Sequence, residues 1–218
     1  MTSLDMVLHN PPTLSVIVLA GGYSSRMGRD KALLTLPDGS TLISRTVEIA
    51  QSMSDNVVVV TPWPERYRPL LPSAVQWVQE PLHGKGSAGP LSGFALGWQQ
   101  VCSTWCLLLP CDMPNLDSAV LQDWWQWIEQ HDKTSQNRRL WDEGGTPLAS
   151  LAIGKKGWEP LCGFYHRSCT SSLIQHVGSG QRSFQSWLAT IPVAAYTSAP
   201  PSMFLNCNRP SDLPKGIS

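Results

Sequence analysis

Short continuous apolar runs alternate along the chain with longer stretches in which apolar residues recur every three or four positions. Leu14 to Leu19, Asn56 to Thr61 and Trp105 to Leu109 are runs of the first kind, Val57 to Val60 is valine throughout, and Val75 to Glu80 reads as a further, less uniformly apolar strand. The three runs of the first kind, with little polar alternation, predict buried core strands. Ala32 to Leu36 is short and apolar and ends in a turn at Pro37-Asp38-Gly39-Ser40. Leu42, Ile43, Thr46, Val47, Ala50 and Met53 then recur at helical spacing, with Ser40 as the candidate N-cap. Pro62, Pro64, Pro69 and Pro72 bracket a short irregular or helical piece. Leu91, Phe94, Ala95, Trp98 and Cys102 form the apolar stripe of a helix that opens at Pro90 and runs to about Cys102.

The second half continues with a helix over about Ser118 to Gln130, capped by Asp117, and a charged surface loop over Asp132 to Thr146. Pro147 to Ile153 and Pro160 to Tyr165 read as two strands of a hairpin. Helical patterns return around Ser171 to Val177 and Ser183 to Thr190. Met203 to Leu213 reads as a strand or extended segment in which Asn206 and Asn208 share one face. Strands alternating with helices predict an α/β fold: a mostly parallel, twisted sheet, helices on both faces, and an antiparallel hairpin or edge strand. Ligands of such sheets bind beyond the carboxyl ends of the strands.

Composition narrows the function. The 218 residues make one domain the expected organisation, with residues 1–13 as an N-terminal tail ahead of a single domain over 14–218. Lys plus Arg and Asp plus Glu both number 16, so no global field favours nucleic acid or an acidic membrane surface. The start lacks a signal peptide's basic and long apolar regions, and no segment approaches a membrane span, so a cytoplasmic protein is expected. The six cysteines contain no C-x-x-C pair, which argues against a structural zinc site and for buried thiols. Ten tryptophans are many for this length, and Trp124, Trp125 and Trp127 crowd one helix; core packing is the expected role.

Two features carry chemistry. After the first strand come Gly21-Gly22, Ser24-Ser25, Arg26, Gly28 and Lys31, a loop whose backbone N–H groups and cations suit a polyphosphate. Asp112 follows the buried run Trp105 to Leu109, at the carboxyl end of another strand. The loop is neither G-x-G-x-x-G nor G-x-x-x-x-G-K-[ST], and it lacks the closing glycine of G-x-S-x-G. The five histidines are read as structural or surface residues. Loop amides, Arg26, Lys31 and one metal-competent Asp112 could hold a nucleoside triphosphate with Mg²⁺, which takes one or two carboxylates plus phosphate oxygens and water. No general base is needed where the attacking group is a phosphate.

Four blocks carry a resemblance. Leu19-Ala20-Gly21-Gly22-x-Ser24-Ser25-Arg26-Met27-Gly28-x-Asp30-Lys31, Gly89-Pro90-Leu91-x-Gly93, Cys111-Asp112-Met113-Pro114 and Phe204-x-Asn206-x-Asn208-x-Pro210-x-Asp212-Leu213 resemble the molybdenum cofactor guanylyltransferases in order and spacing. The resemblance implies a three-layer, Rossmann-like nucleotidyltransferase fold, with a nucleotide-binding half over about 14–114 and an acceptor-binding half over about 115–213. It implies transfer of GMP from Mg-GTP to the phosphate of molybdenum-bound molybdopterin, with release of pyrophosphate. Leu19, Ala20, Gly21 and Gly22 would then contact GTP, Lys31 its phosphates, Asp112 the Mg²⁺, and Asn206 and Asn208 the molybdopterin side. Arg26 joins Lys31 on the leaving pyrophosphate. The double glycine favours guanine over cytosine. Where many relatives carry Asn after the second strand this chain has Thr61-Pro62, and Glu80 stands where they carry a nucleotide-contacting Asp. The partners implied are GTP, molybdenum-molybdopterin and a molybdoenzyme or cofactor-biosynthesis protein. The competing readings are a nucleotidyltransferase acting with CTP or on a sugar or alditol phosphate, and a non-catalytic nucleotide or molybdopterin carrier.

Overall fold

The computed structural model describes residues 14–21, 30–82, 88–132, 147–155 and 157–207. Among them, β1 (Leu14–Leu19), α1 (Leu42–Met53), β2 (Val57–Thr61), α2 (Pro64–Tyr67), β3 (Gln76–Gln79), α3 (Pro90–Trp98) and β4 (Trp105–Pro110) alternate in the first half. The second half holds α4 (Ser118–Asp132), β5 (Ala149–Gly154), β6 (Gly157–His166), α5 (Thr170–Gly178), α6 (Phe184–Leu188) and β7 (Val193–Ala195). The strands form one sheet in the order β3-β2-β1-β4-β6-β5-β7. β3, β2, β1 and β4 are mutually parallel; β6 runs antiparallel to both β4 and β5, and β7 is parallel to β5.

Strand alternation explains why the central runs are almost wholly apolar. Val16, Val18, Val57, Val59, Leu107 and Leu109 point to one face, where Val47 and Ala50 of α1 and Leu121 and Trp124 of α4 cover them. Ile17, Val58, Val60, Cys106 and Leu108 point to the other, beneath Leu91, Phe94 and Trp98 of α3 and Leu173 and Trp187 of α5 and α6. Both faces are covered, so no regular polar alternation is needed in β1, β2 or β4, and the polar exceptions Ser15 and Thr61 are buried and hydrogen-bonded. Helix α3 lies close on the sheet because Gly97 has no side chain: a Cβ there would stand 2.8 Å from Val60 Cγ2.

Three buried tryptophans each find a hydroxyl for the indole N–H. Trp98 donates to Thr170, Trp124 to Ser150 and Trp187 to Ser172, at 2.9, 2.8 and 2.9 Å. Trp124 also stacks on Tyr196 at 4.6 Å between ring centres. The tryptophan-rich helix is thus packed into the core on its Trp124 side, and that residue is fully buried.

Several local expectations need correction. The N-cap of α1 is Thr41, whose hydroxyl accepts from Ser44 N; Ser40 instead bonds back to Asp38. Helix α3 stops at Trp98, so Val101 is buried and Cys102 is exposed. Met203 and Phe204 lie in a 3-10 turn, Pro201–Phe204, rather than a strand, and only residues 205–207 after it are described. Strand β7 at the sheet edge was not expected. The predicted loop over Asp132 to Thr146 falls outside the described residues from 133 on. Among the described residues, no helix is long and apolar enough to cross a membrane.

Candidate active site

The parallel strands end side by side, and backbone bonds continue the ladder past them. Glu80 N donates to Thr61 O, Ala20 N to Val60 O, and Cys111 N to Leu19 O, at 2.9, 2.9 and 3.1 Å. Glu80, Ala20-Gly21 and Asp112 are therefore brought to one end of the sheet. Thr61 is fully buried there, and its hydroxyl donates to Ala20 O at 2.8 Å, bracing the loop that leaves β1.

Leu19, Ala20, Gly21, Lys31, Glu80 and Asp112 all line one pocket of about 170 Å³, walled on the α3 side by Gly89, Pro90 and Gly93. Lys31 begins a short 3-10 turn, Lys31–Leu33, and its Nζ lies 3.4 Å from Asp112 Oδ2. Burial pushes the Asp112 carboxyl above its ordinary range, and Lys31 offsets only part of that. Glu80 is 4% exposed, and its carboxylate faces the two glycines: a Cβ on Gly21 would lie 2.6 Å from Glu80 Oε2, and one on Gly93 would sit 3.7 Å from Oε1. Gly89 opens α3 with φ +100°, a conformation that favours glycine.

The C-terminal block reaches the same place. Cys207 N donates to Asp112 O at 2.9 Å, and Asn115 Nδ2 to Ser202 O at 3.1 Å. Asn206 Oδ1 is buried without a hydrogen-bond partner among the described residues, an acceptor that a ligand's donor would satisfy. Gly22, Arg26 and Asn208 lie outside the described residues.

Sequence reasoning assigned no role to Asp30 or Leu161, and both line the pocket. Asp30 stands immediately before Lys31, and that adjacency was the available signal; nothing in the pattern around Leu161 marks it. Among the described histidines, His131, His166 and His176 bond to Trp127 O, Ser168 N and Ser186 Oγ, and none lines the pocket. The six cysteines are all free. Among the described residues no group of three or more His, Cys, Asp or Glu is placed to hold a metal. Of the three carboxylates that line the pocket, Asp30, Glu80 and Asp112, a single one such as Asp112 would suffice for Mg²⁺, which takes one or two carboxylates and fills its remaining positions with phosphate oxygens and water.

An α/β sheet with helices on both faces that brings Gly21, Lys31 and Asp112 to the ends of its parallel strands has the arrangement expected of a nucleotide site. The family model for the MobA-like NTP transferase domain matches residues 16–195, and the chain belongs to that family. A relative from Trichormus variabilis, named "Probable molybdenum cofactor guanylyltransferase", is 44% identical over 92% of this chain and 88% of its own. One of the same name from Synechococcus elongatus is 39% identical over 91% and 95%. Among solved structures, molybdopterin-guanine dinucleotide biosynthesis protein A from Archaeoglobus fulgidus has the same fold, with a TM-score of 0.66 at 22% identity over 91% of this chain and 94% of that one.

Proposed function

We propose that the chain transfers GMP from GTP to the phosphate of molybdenum-bound molybdopterin and releases pyrophosphate. The carrying observation is the arrangement at Asp112, where Lys31 approaches the carboxylate at 3.4 Å and the segment bearing Asn206 is bonded to the backbone carbonyl through Cys207. In this reading the nucleotide site and the acceptor segment meet at Asp112. The names of the relatives at 44% and 39% identity supply the substrates.

In this reading the backbone from Leu19 to Gly22 approaches the nucleotide, Glu80 faces its base side, and Lys31 and Arg26 bind the phosphates that leave. Asn206 and Asn208 hold the molybdopterin side. An acceptor phosphate oxygen attacks the α-phosphorus, forming a new P–O bond as the α–β bridging P–O bond breaks. The electron pair goes to pyrophosphate, where Lys31 meets the developing charge. The acceptor phosphate is largely dianionic at neutral pH, so no proton has to be removed. Asp112 would hold Mg²⁺, which supplies charge neutralisation on the phosphate oxygens.

The test is pyrophosphate release from GTP with molybdenum-bound molybdopterin as acceptor, run beside CTP. GTP-dependent, acceptor-dependent release is the expected result. Release with CTP but not GTP overturns the guanylyl assignment, and binding of both substrates without release leaves a carrier.

A further inference from the structure

We infer that Tyr67 and Arg66, at the end of α2, are positioning residues for Lys31 and act on it through Asp30. This rests on the functional reading above, in which Lys31 meets the phosphates. Asp30 Oδ2 accepts from the Tyr67 hydroxyl at 2.7 Å and from Arg66 Nη1 at 2.6 Å. Its Oδ1 accepts from Ala32 N at 3.1 Å. Both side-chain bonds have the short lengths of charge-assisted hydrogen bonds. The Tyr67 ring is 1% exposed in the core, and burial together with the Asp30 carboxylate pushes its phenol up, so it stays a neutral donor at any working pH. Arg66 stacks over Trp63 at 4.8 Å, which fixes its fork from the outside.

The backbone carries this anchorage to Lys31. Asp30 caps the 3-10 turn of which Lys31 is the first residue, and Leu34 N closes that turn on Lys31 O at 3.0 Å. On the far side, Leu42 N donates to Leu34 O at 3.0 Å, tying the turn to α1. The turn is held at both ends, so Lys31 leaves a backbone with little slack. The Lys31–Asp112 contact, at 3.4 Å, is too long to set the direction of the lysine by itself. A second effect is electrostatic. Asp30 lines the pocket, and without Arg66 its charge would face an incoming triphosphate.

The test compares kcat and KM for GTP in Tyr67→Phe, Arg66→Ala and Arg66→Lys, with Val75→Ala as a stability control. Val75 is 5% exposed in the same core layer and lies outside the pocket. Assays run well below every variant's unfolding temperature. Tyr67→Phe keeps the ring and removes one charge-assisted bond, so kcat/KM falls about tenfold, mostly in kcat. Val75→Ala loses stability and keeps both constants. Arg66 is exposed, so Arg66→Ala folds; it raises KM for GTP several-fold, and Arg66→Lys restores much of the loss. Tyr67→Phe with wild-type constants, or with changes no larger than those of Val75→Ala, overturns the inference; if that variant does not fold, unaltered constants in Arg66→Ala do so. A wild-type chain that releases no pyrophosphate overturns the functional reading and the inference with it, whereas an active wild type matched by Tyr67→Phe overturns the inference alone.

Discussion

Lys31 Nζ stands 3.4 Å from Asp112 Oδ2 across the carboxyl end of the sheet, close enough to attract and too far for a tight charge-assisted bond. The two side chains are 16% and 25% exposed, so neither is solvated enough to be indifferent to the other. A loose pair of this kind can separate around a metal-bound phosphate at small cost. Asp112→Ala is accordingly expected to lower Mg²⁺-dependent pyrophosphate release by about a hundredfold or more while far-UV circular dichroism is unchanged. Lys31→Ala should weaken GTP binding by about 10- to 100-fold in a calorimetric titration. Unaltered turnover in the first, or an unaltered titration in the second, removes that residue from the mechanism.

The same pair makes a pH-dependent prediction. Burial raises the Asp112 carboxyl above its ordinary 3.8 in the folded chain. Between 3.8 and the raised value the folded state holds more protons than the unfolded one, so this group's contribution to stability is present at low pH and is lost as pH rises through that window. Above it, the ionised carboxylate is a net cost to the ligand-free fold. Asp112→Asn should therefore be at least as stable as wild type at pH 7 without ligand, with its advantage shrinking as pH is lowered toward the carboxylate range. Urea midpoints measured across that range decide it: a variant less stable at pH 7 means that Lys31 outweighs burial.

How much of this was legible in the sequence depends on the range of the interactions. β1, β2 and β4 announce themselves because both sheet faces are covered, so nearly every residue is apolar, Ser15 and Thr61 being the buried exceptions. Lys31 and Asp112 were legible because each follows such a run within a recognisable block. The Asp30–Tyr67 bond joins residues 37 apart, and no periodicity records it. β7 escaped because Val193–Ala195 is too short for alternation to show. Cys102 was placed in the apolar stripe of α3 because the pattern continues past Trp98, where the backbone turns at Gln99 and Gln100 and buries Val101 instead.

Gly97 was unremarkable in the sequence, yet it governs how closely α3 lies on the sheet. A Cβ there meets Val60 Cγ2 at 2.8 Å and Ile17 Cγ2 at 3.0 Å, and both side chains are packed in the core. Overpacking of this kind costs about 1–3 kcal/mol, against about 1 kcal/mol that alanine gains over glycine inside a helix. Gly97→Ala should lower the urea midpoint with little change in m, because the surface exposed on unfolding is nearly the same. A midpoint at or above wild type shows that the helix shifts outward without penalty.

Gly21 tests the base side of the pocket. Its φ lies outside the left-handed region, so alanine brings no backbone strain. The conflict is with Glu80, whose Oε2 would stand 2.6 Å from the new Cβ, and with Pro62 Cδ at 3.3 Å. Glu80 is the more mobile of the two, since only the end of its side chain has to turn away, and the fold should survive Gly21→Ala with a modest loss of stability. What changes is the carboxylate's position in the pocket. If Glu80 contacts the purine, KM for GTP rises while that for CTP does not, and discrimination between them falls by about tenfold or more, the effect of losing one hydrogen bond to a charged group. Competition between the two nucleotides in a pyrophosphate-release assay reads this ratio directly. An unchanged ratio, with Gly21→Ala stably folded, takes Glu80 out of base recognition and leaves it a structural neighbour of Gly21 and Gly93.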